Sequence, residues 1–267
     1  MQHEALDAAT QGFIDALNEA LPGQVKFEEK NASGDSNSCA TIVNGFVSEG
    51  VDLIMANATA ALQAAASATS DIPVLGTSIT AYGVALDIDD FSGTVGGNVS
   101  GTSDLADLSK QADMITEWFP ETQKVGLLFC SAEPNSRYQI EEVAKNLSAK
   151  GIETKEFAFT DSNDVASVTQ SAADYADVVY LPTDNIAASN TEAIANVTVP
   201  AKTPVIAGEE GICKGCGVAT LSISYYDLGM TTGKMAAKIL TGEADISTMP
   251  IEYAPAAPKY NLSLIHI

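Results

Sequence analysis

The chain has 267 residues, 46% hydrophobic and 18% charged, which excludes a disordered tail, a collagen-like repeat and a disulfide-stapled miniprotein. Thirteen Lys and Arg against 35 Asp and Glu give a net charge of −22, an acidity that disfavours nucleic-acid phosphates and anionic lipid headgroups. The most apolar long stretch, residues 56–69, is broken by Asn57, Thr59, Gln63, Ser67 and Thr69, short of the roughly 20 apolar residues of a membrane span. The opening MQHEALDAATQGF lacks the basic-then-apolar pattern of a secretory signal.

In chain order, residues 5–21 place Leu6, Ala9, Phe13 and Leu17 on one helical face, and residues 24–32 (QVKFEEKNA) alternate as a strand does. Residues 36–48 are again helical, with Cys39, Val43 and Phe46 at the spacing of a buried face. Then a unit recurs: a short apolar run, a polar turn, a helix. The runs are VDLIMA, IPVLGT, KVGLLFC, DVVYLPT and TPVIAGE; the helical stretches are 58–68, 102–119, 136–151 and 186–197. Such alternation predicts βαβ units, parallel sheets flanked by helices and an α/β fold.

Two segments interrupt the rhythm. Residues 89–104, with Gly93, Gly96, Gly97 and Gly101, suit a chain bending from one domain to another, and SISYYDLG (222–229) is a second candidate crossing. The expected organisation is two lobes joined by a hinge, enclosing a ligand in the cleft: residues 1–103 with 225–250, and 104–224 with 251–260, followed by an atypical tail, 261–267 (NLSLIHI).

The catalytic inventory is thin. His3 and His266 lie near the termini, where they are expected to fray, so no nucleophile has a placed base. Cys130 ends a predicted strand but reads as a small buried residue. Cys213 and Cys216 form a lone CxxC without a second ligand pair, so no metal is expected. No cofactor motif is present: GMTTGKM (229–235) is a residue short of a phosphate loop and lacks its Ser or Thr.

Small polar residues instead gather at the carboxyl ends of the predicted strands, where open α/β sheets bind ligands. These ends are Asn57-Ala58-Thr59-Ala60, Thr77-Ser78, Ser131 to Ser136 (with Glu133 and Asn135), Thr183-Asp184-Asn185 and Gly208-Glu209-Glu210. Helix starts at Thr59-Ala60-Ala61 and Asn135-Ser136-Arg137 expose N–H groups suited to a carboxylate; Asp184, Glu209 and Glu210 offer negative charge to an ammonium. Helix capping alone also explains such residues at any one turn. Phe91, Tyr138, Tyr225 and Tyr226 are candidates to stack on a ring, or to pack near the hinge.

DLIMANATAALQAAASAT, IPVLGTSIT, GNVSGTSD, KVGLLFCSAEPNSRYQIEEVAKNLSAKGIE, DVVYLPTDNIAAS, PVIAGEEG and SISYYDLG resemble, in order, the tryptophan/tyrosine-binding lipoprotein family of ABC-transporter substrate-binding proteins. The resemblance spans residues 4–260. It implies a two-lobed type I periplasmic-binding fold that closes on an aromatic amino acid and delivers it to permease and ATPase subunits, outside the cytoplasm, as a monomer without bound nucleic acid. Carried residue by residue, it adds Asp227 to Asn57, Thr59, Ser131, Glu133, Asn135, Ser136, Asp184, Asn185 and Glu209 as ligand contacts; Asp184 is expected to take the ammonium. Members begin with a signal peptide, a lipidated Cys and a first strand. This sequence contains none of them, so the first lobe is expected to lack that strand. A ligand-sensing domain of a transcription regulator and an α/β enzyme acting on an amino acid are the alternatives.

Overall fold

The computed structural model describes residues 3–253 and 259–262; the rest of the predicted tail, 263–267, and His266 lie outside them. The chain forms two compact units, residues 3–105 with 224–253, and residues 106–223 with 259–262.

Unit 1 begins with helix α1 (Glu4–Ala20), whose first turn is capped by His3: its Nδ1 accepts from the Leu6 N–H at 3.4 Å. His3 is therefore placed, contrary to the expected fraying, because a first turn needs an acceptor for its free N–H groups. Residues 24–32 form no strand. Val25 and Phe27 do turn inward against the core, but alternation gives a ladder only where a neighbouring strand is there to pair. Next come α2 (Ser36–Glu49), β1 (Ile54–Asn57), α3 (Thr59–Ala68), β2 (Val74–Ile79), α4 (Tyr82–Ala85) and β3 (Val99–Ser103).

The last part of the expected inter-domain crossing at residues 89–104 is strand β3 of unit 1, and the passage to unit 2 comes directly after it. Gly93, Gly96 and Gly97 do adopt positive φ, but in the approach to a wholly buried strand; the chain leaves unit 1 at residue 105. Its sequence, VSGTS, lacks the apolar run that marks the other strands, because its hydroxyls find partners inside. Thr102 and Thr232 hydroxyls bond at 2.8 Å, both bond Thr77 Oγ1 (3.3 and 3.1 Å), and Ser100 Oγ donates to Met249 O at 3.0 Å.

Unit 2 runs α5 (Leu108–Trp118), β4 (Lys124–Cys130), α6 (Pro134–Ala149), β5 (Glu153–Phe159), α7 (Val165–Tyr175), β6 (Val178–Leu181), α8 (Asn185–Ala188), α9 (Thr191–Ala201), β7 (Val205–Ala207), α10 (Glu210–Cys216) and β8 (Ala219–Ser222). The chain re-enters unit 1 as α11 (Tyr225–Leu240), a 3-10 turn (Ile246–Thr248) and β9 (Glu252–Tyr253), then adds β10 (Lys259–Leu262) to unit 2. SISYYDLG is thus the end of β8 and the first turns of α11, a helix capped by Ser224 Oγ on the Asp227 N–H.

The unit 1 sheet has the order β1-β2-β3-β9, all parallel; the unit 2 sheet has the order β10-β8-β7-β6-β4-β5, parallel apart from β10. In unit 2 the strand order reverses about β4, so its carboxyl end and that of β6 flank the switch point where a doubly wound sheet opens a crevice. In unit 1, α1 lies against α11 so closely that a Cβ on Gly12 would strike the Tyr226 carbonyl, and one on Gly229 the Ala9 carbonyl. Among the described residues no helix is long and apolar enough to cross a membrane.

Strands β2 and β3 part company towards their carboxyl ends, where the register slips between Gly76 and Ile79. The buried Tyr82 hydroxyl fills the gap, shared between the carbonyls of Gly76 (3.0 Å) and Thr102 (3.2 Å). Removing it leaves those groups without that donor, at a cost of about 1–3 kcal/mol. Tyr82→Phe is therefore expected to lower the unfolding free energy in urea by that amount; an unchanged midpoint would show that the hydroxyl does not hold the parting strands.

Candidate functional site

The carboxyl ends of the strands differ between the units in how their polar groups are satisfied. In unit 2 the chain satisfies those after β4, β6 and β7 itself, while the buried Thr220 hydroxyl on β8 has no partner. Asp184, 2% exposed, follows β6, accepts the Cys130 N–H at 2.7 Å through Oδ2, and caps α8 by accepting the Ala187 N–H at 2.8 Å through Oδ1. Glu133, after β4, accepts from Asn185 N (3.0 Å) and Nδ2 (2.7 Å) on one oxygen and from Ile186 N (3.0 Å) on the other. The Thr183 carbonyl accepts from Asn135 Nδ2 (3.2 Å), Ser136 Oγ (3.5 Å) and Gln139 Nε2 (3.3 Å), while Gln139 also clasps the Thr183 hydroxyl and N–H. Six of the predicted contacts, Glu133, Asn135, Ser136, Thr183, Asp184 and Asn185, thus meet in one lattice at the switch point. Gln139, a turn into α6, completes it; its place in a helix gave no signal in the sequence.

This lattice changes what its carboxylates can do. Asp184, expected to meet a ligand's ammonium, has each oxygen already accepting a backbone N–H. Burial, then the Glu133 charge, pushes its carboxyl up to about 7, against the pull of the bonds from Ala187 and Cys130. Glu209, 2% exposed, likewise caps α10, accepting the N–H of Gly211 at 2.6 Å and that of Ile212. Glu210 pairs with Lys214 at 3.1 Å. Ser131 is exposed and donates to the Phe159 carbonyl at 3.1 Å. The first turn of α6 has no side-chain cap, but it opens on Pro134, which has no N–H, and the N–H groups of Ser136 and Arg137 bond the Glu133 carbonyl (3.1 and 3.2 Å), so only that of Asn135 is left without a cap.

In unit 1 the strand ends keep unmet capacity. Asn57 Nδ2 reaches back to α1, donating to the Leu6 carbonyl (2.8 Å) and Thr10 Oγ1 (3.1 Å), while its Oδ1 is buried with no hydrogen-bond partner. Ala58 adopts φ +79° and α3 starts at Thr59, 5% exposed, without a side-chain cap, leaving the N–H groups around Thr59 and the half-buried Ala60 open. Thr77 is engaged in the hydroxyl cluster with Thr102 and Thr232, whereas Ser78, at φ +56°, has a buried hydroxyl with no partner. Asp227 stands exposed on the first turn of α11.

Asp104 was not among the predicted contacts. It lies just past β3, 6% exposed, with Oδ2 accepting the Tyr225 hydroxyl at 2.8 Å and Oδ1 buried and unpartnered. Burial raises its carboxyl, partly offset by the nearby Tyr225 and Thr80 hydroxyls. Reading β3 as a linker hid the strand end that would have pointed to it. Of the ring-stacking candidates, Tyr225 is buried against Asp104, Phe91 stacks on Tyr82 with centroids 6.5 Å apart, Tyr226 is exposed and donates to Asp15, and Tyr138 is half-buried.

The thiols fit no nucleophilic role. Cys130 is fully buried, bonds the Thr160 carbonyl at 3.6 Å, and is pushed up to about 12 by burial and the Asp184 charge. Cys213 and Cys216 are reduced thiols buried in α10, and burial pushes Cys216 up as well.

A family model described as ABC transporter substrate binding protein matches residues 1–256. A tyrosine-binding protein of Clostridioides difficile (strain R20291) is 32% identical over 257 residues, 94% of this chain and 73% of that protein. The structure of an ABC domain in complex with L-Trp, from Streptococcus pneumonia, superposes with a TM-score of 0.92 at 31% identity, covering 98% of this chain and 88% of the other. A branched-chain amino acid transporter substrate binding protein from Streptococcus pneumoniae, in complex with isoleucine, shares the fold at 16% identity (TM-score 0.60, covering 91% and 80%). The architecture is that of type I periplasmic-binding proteins.

The raised Asp184 carboxyl has a consequence for stability. The folded chain holds this proton more tightly than the unfolded chain, whose Asp titrates near 3.9, so the contribution is full below about 4 and is lost as pH rises through about 7. Glu133→Gln removes the like charge while leaving one acceptor at the start of α8. It is expected to cost about 1–2 kcal/mol at pH 5 and to flatten the fall in unfolding temperature between pH 5 and pH 8. Parallel wild-type and variant curves would mean that the two carboxyls are not coupled.

Proposed function

Because the chain belongs to the ABC transporter substrate-binding protein family, we propose that it binds a free aromatic amino acid, tyrosine or tryptophan, and passes it unaltered to a permease coupled to an ATPase. The observation that carries this reading is the likeness, above 30% identity over more than nine-tenths of the chain, to a tyrosine-binding protein and to a domain in complex with L-Trp. The strand ends supply matching chemistry. The open first turn of α3 at Thr59 and Ala60 suits a carboxylate, since it gathers N–H groups without a side-chain cap at the positive end of a ten-residue helix; in α6 the N–H groups of Ser136 and Arg137 already bond the Glu133 carbonyl, which leaves that of Asn135.

Asp184, Glu133 and Thr183 enter this reading as the residues that hold the α6 and α8 entries in place, with Asn185 and Ser131 at their rim. Glu209 holds the start of α10, and Asp227 adds an exposed charge on α11. No covalent step is proposed: the buried Cys130 thiol stays protonated, and His3 is engaged as a helix cap. The family works outside the cytoplasm; a lipid anchor on the whole protein, a monomeric state and the absence of bound nucleic acid, in keeping with a charge of −22, belong to the same proposal.

Calorimetric titration of the twenty amino acids tests it. Tyrosine or tryptophan is expected to release heat with a Kd at least tenfold below that of any aliphatic amino acid, and to be recovered chemically unchanged. Heat from sugars or nucleosides alone would overturn the assignment.

A further inference from the structure

We infer that Asp104, with Ser78 at the end of the neighbouring strand, is the counter-charge for the primary ammonium of the bound ligand; this rests on the amino-acid reading above. The two residues stand at the carboxyl ends of adjacent strands, Ser78 one position before the Ile79–Ser103 pair and Asp104 one position after it, with the Asp104 N–H bonded to the Ile79 carbonyl at 3.1 Å. Each is more than nine-tenths buried and each carries an oxygen with no partner. A buried carboxylate oxygen without a donor is costly, and a hydroxyl lacking a bond adds to that cost, so a fold keeps such a pair where a donor arrives from outside. On the next strand, the orphaned Asn57 Oδ1 is a further acceptor along the same edge.

The chemistry is selective. Unmet carboxylate and amide oxygens accept only, and the hydroxyl can accept, which matches a group that donates several N–H bonds and carries positive charge. Tyr225 donates to the other Asp104 oxygen and so fixes the carboxylate's rotation, leaving Oδ1 turned away from that bond. The open N–H groups at the start of α3, which follows β1 in the same sheet, have the opposite preference. Unit 1 therefore offers both polarities of a zwitterion along one sheet edge, whereas the carboxylates of unit 2 already hold the chain's own N–H groups.

The test compares each aromatic amino acid with its des-amino acid, tyrosine with 3-(4-hydroxyphenyl)propionate and tryptophan with indole-3-propionate, by calorimetry on the full chain. Wild type is expected to prefer the amino acid. Asp104→Asn is expected to weaken the amino acid at least tenfold and leave the des-amino acid within about twofold, so that the preference collapses. Ser78→Ala, which deletes one small hydroxyl and keeps the fold, is expected to reduce the preference about three- to tenfold; it decides the matter should Asp104→Asn prove unfolded by circular dichroism. Equal losses for both ligands, or an undiminished preference, would overturn the subsite while leaving the amino-acid reading intact. A wild-type protein that binds no amino acid would overturn both.

Discussion

The need to satisfy polar groups buried at the carboxyl ends of parallel strands organises this molecule. A strand that ends inside a sheet delivers its next residues into a region with little water, and each donor or acceptor there must find a partner or remain costly. Around β4 and β6, unit 2 resolves the problem internally: Glu133 and Asp184 take up the N–H groups of Asn185, Ile186, Ala187 and Cys130, and the Thr183 carbonyl accepts from side chains of α6. Unit 1 does not. Its β2 and β3 part around the Tyr82 hydroxyl, and just beyond lie the unmet oxygens of Ser78 and Asp104.

That asymmetry gives the two units different duties. A laced switch point is rigid, because moving one loop breaks bonds in the other; it suits the presentation of a fixed rim. An edge with unmet acceptors and an uncapped helix is incomplete as a folded object and is completed by a charged guest, so part of the guest's binding energy comes from relieving the host. Selectivity for a zwitterion follows without any catalytic group: a ligand lacking the ammonium leaves the buried carboxylate as it was, and one lacking the carboxylate leaves α3 open.

Much of this was legible in the sequence. The apolar runs at IMAN, VLGTSI, KVGLLFC, VVYL and VIA became strands, and the turns after them gathered polar side chains, because burial on both faces writes itself as uninterrupted hydrophobicity. Strand β3 was illegible for the complementary reason: VSGTS is buried through hydroxyl bonds to Thr232 and Met249, partners about 130 and 150 residues away that no local pattern reveals. Missing it hid Asp104. Residues 24–32 show the converse, because alternation records an inward-facing side but not the presence of a neighbouring strand. Asp184 was found by its position and charge, but its engagement by the Cys130 N–H depends on a fold-level neighbour 54 residues away.

The glycine seam between α1 and α11 reaches further than packing. Helix α1 supplies the Leu6 carbonyl and Thr10 hydroxyl that orient Asn57, and the opening turn of α11 supplies the Tyr225 hydroxyl that orients Asp104. Both settings are thus fixed by one interhelical distance, kept short where Gly12 and Gly229 let backbone touch backbone. A methyl group added there would act as a spacer that detunes two side chains together, so the ammonium preference inferred for unit 1 would depend in part on a seam between two helices.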